Sequence, residues 1–182
     1  MTILDWLKNT GGKTIGLLEM VGLKYPVKTY VAQVSPTLWR GSRLPNDAAY
    51  LDLKNKGFSL IVNLCAENDM DAKPAEKYGL KHARIPIIDN TAPTEEQMFK
   101  FLKLATDPTQ LPLFVHCEKG LGRTGTVVAC YRLAVCHWTL QQVLDESAQY
   151  GQLLECQESF LAEFSTNGVA KWLTIGSAQT TS

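Results

Sequence analysis

Val115-His116-Cys117-Glu118-Lys119-Gly120-Leu121-Gly122-Arg123-Thr124-Gly125 is the stretch that organises the rest of the chain. Leading into it, Leu113 to Val115 is an apolar run that reads as a short buried strand. Three glycines follow, Gly120, Gly122 and Gly125, and Thr126 to Val135 then reads as a mostly apolar helix. Strand, glycine loop and helix N-terminus bring backbone N–H groups and the positive end of a helix dipole around one small space. That space suits a phosphate-sized dianion, cradled by Glu118, Lys119, Gly120, Leu121, Gly122 and Arg123.

Each residue type in the loop has a physical task. A free thiol titrates near ~8.5, but a helix N-terminus and nearby cations bring it down to roughly 3.5–7.5. Cys117 would then be a thiolate able to attack phosphorus in line. Arg123 offers a planar fork of donors that matches two phosphate oxygens, which lysine does less well. Gly120 and Gly122 allow positive φ, so that successive N–H groups converge inward. The Thr124 hydroxyl is placed to stabilise Cys117 as a leaving thiolate, and His116 to orient the loop by hydrogen bonds. Of the five cysteines, only Cys117 has an arginine six residues on; Cys65, Cys130, Cys136 and Cys156 lead to Asp71, Cys136, Gln142 and Ala162. The bland alternative is a glycine turn holding a buried structural cysteine.

The string His-Cys-x-x-Gly-x-Gly-Arg-Thr-Gly resembles the phosphate-binding loop of the cysteine-dependent protein tyrosine phosphatase superfamily. The likeness is to its dual-specificity and lipid-phosphatase branches, which include phytase-like inositol polyphosphate phosphatases. It extends from about Val31 to Phe164 but is dense only at the loop. Asn63-Leu64-Cys65-Ala66-Glu67 resembles a strand end of the phosphoinositide phosphatases, and Trp39-Arg40-Gly41-Ser42-Arg43 the entry strand and loop of many small members. The resemblance implies a phosphomonoesterase working through a phosphocysteine, without metal or other cofactor.

Such a reaction needs a proton donor on the far side of phosphorus. Asp89, in the loop Pro86 to Pro93 after an expected strand, is the candidate general acid; Ile85-Pro86-x-x-Asp89 is similar to the acid loop of the dual-specificity branch. Asp69 and Asp71 are the reserves, and a turn-forming aspartate is the alternative reading of Asp89. Arg43, Arg84 and Lys119, with Lys73 as a further candidate, would form a cationic rim suited to a substrate with several phosphates; Arg40 or Arg43 would reach towards the site, the alternative for each being a structural ion pair. That rim and the Asn63–Glu67 likeness tip the expected substrate slightly towards phosphorylated inositols over phosphoproteins. Glu118 and the balanced charge weigh against it. If the sheet is parallel, Cys65 ends its strand beside Cys117 and could protect it as a disulfide; otherwise it is a small buried hydrophobe.

Composition sets the outer bounds. The 182 residues suffice for one domain, and 45% hydrophobic with 20% charged content describes an ordinary globular chain. Eighteen basic residues balance eighteen acidic ones, so no bulk field calls for nucleic acid. Five irregularly spaced cysteines argue against a disulfide framework, and three scattered histidines against a zinc site. No apolar run approaches about 18 residues, so no integral membrane segment is expected. A cytoplasmic location is the default, with secretion left open. Oligomeric state is not readable.

The remaining chain reads as five short strands alternating with helices, an α/β fold with a mainly parallel central sheet flanked by helices. A hairpin turns around Ser35-Pro36, Asn46 caps a helix to about Lys56, and Leu60 to Cys65 is a buried strand. A short helix lies within Asp69 to Tyr78, and a strand within Leu80 to Ile87. Thr94-x-x-Gln97 and Thr139-x-x-Gln142 are capping boxes, and a last helix spans Glu155 to Phe164. The expected organisation is an extension over 1–30, holding a short amphipathic helix at Ile3, Leu4, Trp6 and Leu7, a phosphatase domain over 31–166, and a tail over 167–182 whose Trp172 and Leu173 dock on the body. Two readings compete with the phosphatase: a phosphate-binding module without turnover, and sulfur transfer by a rhodanese-like loop.

Overall fold

A computed structural model describes residues 29–179, with side chains through Ile175. The short helix expected at Ile3 to Leu7 lies outside the described residues. Strands β1 (Val31–Gln33) and β2 (Leu38–Ser42) pair antiparallel as the expected hairpin. Asn46 then caps α1 (Asp47–Asn55) by accepting the Ala49 N–H, and β3 (Leu60–Cys65) follows. Next come α2 (Ala72–Lys77), β4 (Lys81–Ile87) and α3 (Glu95–Thr106), then β5 (Leu113–Cys117). Helices α4 (Gly122–Ala134), α5 (Leu140–Tyr150), α6 (Glu155–Glu163) and α7 (Val169–Gln179) complete the order. Both expected capping boxes are formed, at Thr94/Gln97 and Thr139/Gln142.

The sheet order is β1-β2-β5-β3-β4, with every pair parallel except β1 with β2. Central β5 is buried on both faces, as its unbroken apolar run requires. Alternation sorts its side chains: Leu113, Val115 and Cys117 join the core beneath α3 to α7, while Phe114 joins a second core with Tyr50, Leu53 and Ala75 of α1 and α2. Helices therefore cover both faces. Cys117 faces α4, and His116 faces away from it.

Two boundaries differ from expectation. Helix α4 begins at Gly122, four residues before Thr126. Its glycines are poor helix formers, but Arg123 and Thr124 are buried and the Gly125 N–H donates to Leu121 O at 2.6 Å, so packing overrides propensity. Beyond α6, Phe164–Gly168 forms a π-helical turn leading into α7, where the sequence suggested a tail. Trp172 docks as expected, its ring 6.1 Å from that of Phe99, whereas Leu173 points outward at 52% exposure. Among the described residues no helix is long and apolar enough to cross a membrane.

Candidate active site

The loop after β5 folds tightly because one glycine allows it. Gly120 has φ +75, and a Cβ there would lie 2.4 Å from Gly41 O and 2.7 Å from Ser42 N, inside the backbone of β2. A second tie holds the loop to the same strand end, the Arg43 N–H donating to Glu118 O at 3.1 Å. Gly122, expected to share the positive φ, instead takes the first position of α4 with an ordinary φ. The loop curls back over the nucleophile candidate: the Gly120 N–H donates to Cys117 Sγ at 3.2 Å, and Cys117 is only 3% exposed.

The other loop donors make no such bond. The N–H groups of Glu118, Lys119, Leu121, Gly122 and Arg123 find no acceptor among the described residues. Arg123 is buried, and its Nε also lacks a partner. Unpaired donors gathered on one short loop beside a buried guanidinium suit an anion. The other side of the guanidinium is fixed. Nη1 and Nη2 donate to the two oxygens of Glu67 at 2.7 and 2.9 Å, and Nη1 also donates to Ile87 O at 3.2 Å. Burial disfavours the Arg123 cation, but Glu67 and its other anionic neighbours outweigh this and hold its pKa above the usual value. The same hydrogen bonds bring the Glu67 carboxyl down to about 2.

Asp89 also reaches this guanidinium, its Oδ1 lying 3.2 Å from Nη2 while its side chain stays 64% exposed. The β4–α3 loop thus brings the candidate acid to the candidate phosphate site. Of the two reserves, Asp71 is excluded from acid work by its surroundings. It is fully buried and accepts from Tyr50 Oη at 2.7 Å and Asn63 Nδ2 at 2.6 Å. Burial pushes the Asp71 carboxyl up, yet the His116 ring and the Tyr50 hydroxyl beside it win and lower its pKa. Asp69 lies 3.2 Å from His82.

His116 works behind the loop. Its Nδ1 lies 3.2 Å from Cys117 O, and its Nε2 lies 3.2 Å from Asp71 without hydrogen-bond alignment. The ring stacks on Phe114 with centroids 5.5 Å apart. Thr124 is buried in the first turn of α4, and its hydroxyl has no partner among the described residues. Cys65 and Cys117 both end parallel strands on one edge, as β3 pairs β5 through Asn63 and His116. Both are free thiols, and burial pushes that of Cys65 up to about 12.

The rim is less cationic than the sequence suggested. Arg84 donates to Cys65 O at 3.3 Å and Ala66 O at 2.7 Å, closing the end of β3. Arg43 pairs with Glu118 at 3.2 Å. Arg40 is 1% exposed and braces the loop from behind. Lys119 and Lys73 are exposed. Sequence reasoning missed two contributors. Glu67 grips Arg123 across 56 residues of chain, and buried Gln157 donates to Thr91 O at 3.1 Å, tying the Asp89 loop to α6. A carboxylate just past the end of β3 was the one available hint for Glu67; nothing local marked Gln157.

A family model described as "DSP-PTPase phosphatase fused to NAD+ Kinase" matches residues 27–165. Tyrosine-protein phosphatase cdc-14 of Caenorhabditis elegans is 44% identical over 75 residues, covering 41% of this chain and 10% of that protein. Dual specificity protein phosphatase CDC14A of Mus musculus is 30% identical over 119 residues, 64% of this chain and 19% of that one. The chain therefore spans about a tenth to a fifth of the length of these curated relatives. The solved structure of PTPMT1 in complex with PI(5)P superposes with a TM-score of 0.67 at 21% identity, covering 78% of this chain and 97% of that one. A matched family model over most of the chain, a shared fold and the loop geometry agree: the chain belongs to the dual-specificity branch of the cysteine-dependent protein tyrosine phosphatases, a family of phosphoric monoester hydrolases.

Proposed function

We propose that this chain hydrolyses phosphate monoesters through a phosphocysteine on Cys117. The observation that carries this reading is the buried Cys117 at the head of a loop in which, among the described residues, five N–H groups and the Arg123 Nε have no partner. The phosphoryl group would take those donors and displace Asp89 from Arg123 Nη2. Cys117 sulfur then forms its bond to phosphorus as the ester P–O bond breaks, and Asp89 gives its proton to the leaving oxygen. In the second step water attacks phosphorus, Asp89 takes the water's proton, and the thiolate leaves, aided by the Thr124 hydroxyl.

Phosphorylated inositols remain the first substrate reading, supported by the Asn63–Glu67 likeness and by a fold neighbour whose structure holds PI(5)P. One observation favours a phosphoprotein instead: Arg43 and Arg84 are already engaged, so a substrate with several phosphates finds few free rim cations. Phosphate release with chelator present, from a phosphotyrosine peptide and from soluble inositol polyphosphates in parallel, tests both levels. Loss of release in Cys117→Ser by about 10⁴-fold or more is the expected result. Release unaffected by that change would overturn the mechanism, and binding without release would favour the non-catalytic module.

A further inference from the structure

Arg40 is a buried cation with no partner carboxylate among the described residues. It is 1% exposed, forms no ion pair there, and its Nε lacks any hydrogen-bond partner. Removing a guanidinium from water is costly unless something balances its charge. What surrounds it is partial compensation. Its guanidinium carbon lies 4.0 Å from the centre of the Tyr150 ring, and its Nη2 donates to Gly120 O at 2.9 Å. The Tyr30 hydroxyl donates to the same carbonyl, and the rings of Tyr30 and Tyr150 are 5.8 Å apart. Burial raises the Tyr30 pKa despite nearby Arg40, so this hydroxyl keeps the proton it donates.

Two donors on one loop carbonyl have a geometric consequence. In a trans peptide the C=O and the following N–H point in opposite directions. Holding Gly120 O towards Arg40 and Tyr30 therefore turns the Leu121 N–H the other way, and that N–H is one of the five without an acceptor. Donation to the carbonyl also polarises the peptide and strengthens its N–H as a donor.

We propose that Arg40, backed by Tyr30 and Tyr150, is a positioning residue for the phosphate site: it locks the Gly120–Leu121 peptide with its N–H towards the anion, and its buried charge is balanced by the phosphoryl group rather than by a carboxylate. The inference rests on the phosphatase reading of the same loop. It separates Arg40 from Arg43, whose charge Glu118 already answers at the rim.

The test compares the parent with Arg40→Met, Arg40→Lys and Tyr30→Phe, measuring the inhibition constant of inorganic phosphate, KM and kcat, and thermal unfolding. Arg40→Met is expected to weaken phosphate by about ten- to hundredfold, since hydrogen bonds involving charged groups are of that strength. Arg40→Lys should recover part of that affinity, and Tyr30→Phe should lose about two- to tenfold with little change in unfolding temperature. If Arg40→Met does not fold, Tyr30→Phe decides the matter. Unchanged phosphate affinity in the folded variants, with turnover intact in the parent, would overturn the positioning role and leave the phosphatase reading standing. A parent that neither binds phosphate nor releases it from any ester would overturn both.

Discussion

The two loops that meet at Arg123 are built on opposite principles. Cys117, Gly120 and Arg123 of the first loop are buried, and it is pinned to the end of β2 by main-chain contacts, with Gly120 pressed against Gly41 O. The Asp89 loop is open: Asp89 is 64% and Ile88 68% exposed. The Thr91 N–H and hydroxyl donate to Ile88 O within it, and Gln157, Cys156 and Arg123 reach it from outside. One half of the site is a receptacle closed around Cys117 and Arg123, the other an exposed loop held by a few contacts. Phosphate groups are alike and leaving groups differ, so rigidity belongs around phosphorus and freedom around the proton donor.

That contrast predicts how substitutions divide. Asp89→Asn should lower kcat by about 10²–10⁴-fold, or about 2.7–5.5 kcal/mol of barrier, while thermal unfolding shifts by no more than about 0.5 kcal/mol. A large stability loss would mean that the open arm is structural after all. Gly120→Ala should reverse the pattern. It forces a Cβ into β2 at positive φ, costing about 1–3 kcal/mol of stability for the backbone alone, and equilibrium unfolding reads it directly.

Acid titration probes the buried side further. Asp71 has its carboxyl lowered from 3.8 in the folded chain, so its contribution is complete above that value and is lost as pH falls through the folded pKa. The parent should lose stability below about pH 4, and Asp71→Asn should flatten that slope in denaturant melts taken across pH. The smallest effect belongs to Glu67→Gln, because the carboxylate is 45% exposed; less than about 1 kcal/mol is expected in thermal unfolding. A greater loss would place Glu67 with the rigid half.

Local chemistry made much of this legible. Cys117 and Arg123 could be singled out because nucleophile, glycines and guanidinium lie on one short stretch, and each has its own physical signature. The capping boxes at Thr94 and Thr139 were readable because their partners sit three residues away. What escaped was carried by distant partners. Glu67 and Gln157 act on segments 56 and 66 residues away, and Asp71 became a buried acceptor because Tyr50 and Asn63 converge on it. The start of α4 misled for a related reason: glycine propensity argues for loop until the burial of Arg123 and Thr124 is known.

The order of the sheet carries one more consequence. β2 and β3 are consecutive parallel strands, yet they do not touch; β5, the last strand in sequence, lies between them. Until that segment is in place, the earlier part of the chain has a hairpin and a separate β3–β4 pair with open edges, joined only through the smaller core of Trp39, Leu53, Phe58 and Ile61. The strand that delivers the thiol is thus the wedge that joins the two halves. Completing the sheet waits on long-range pairing, which slows assembly. It also means that the intact sheet and the complete phosphate loop form together, so that a chain stopped short of Cys117 has neither.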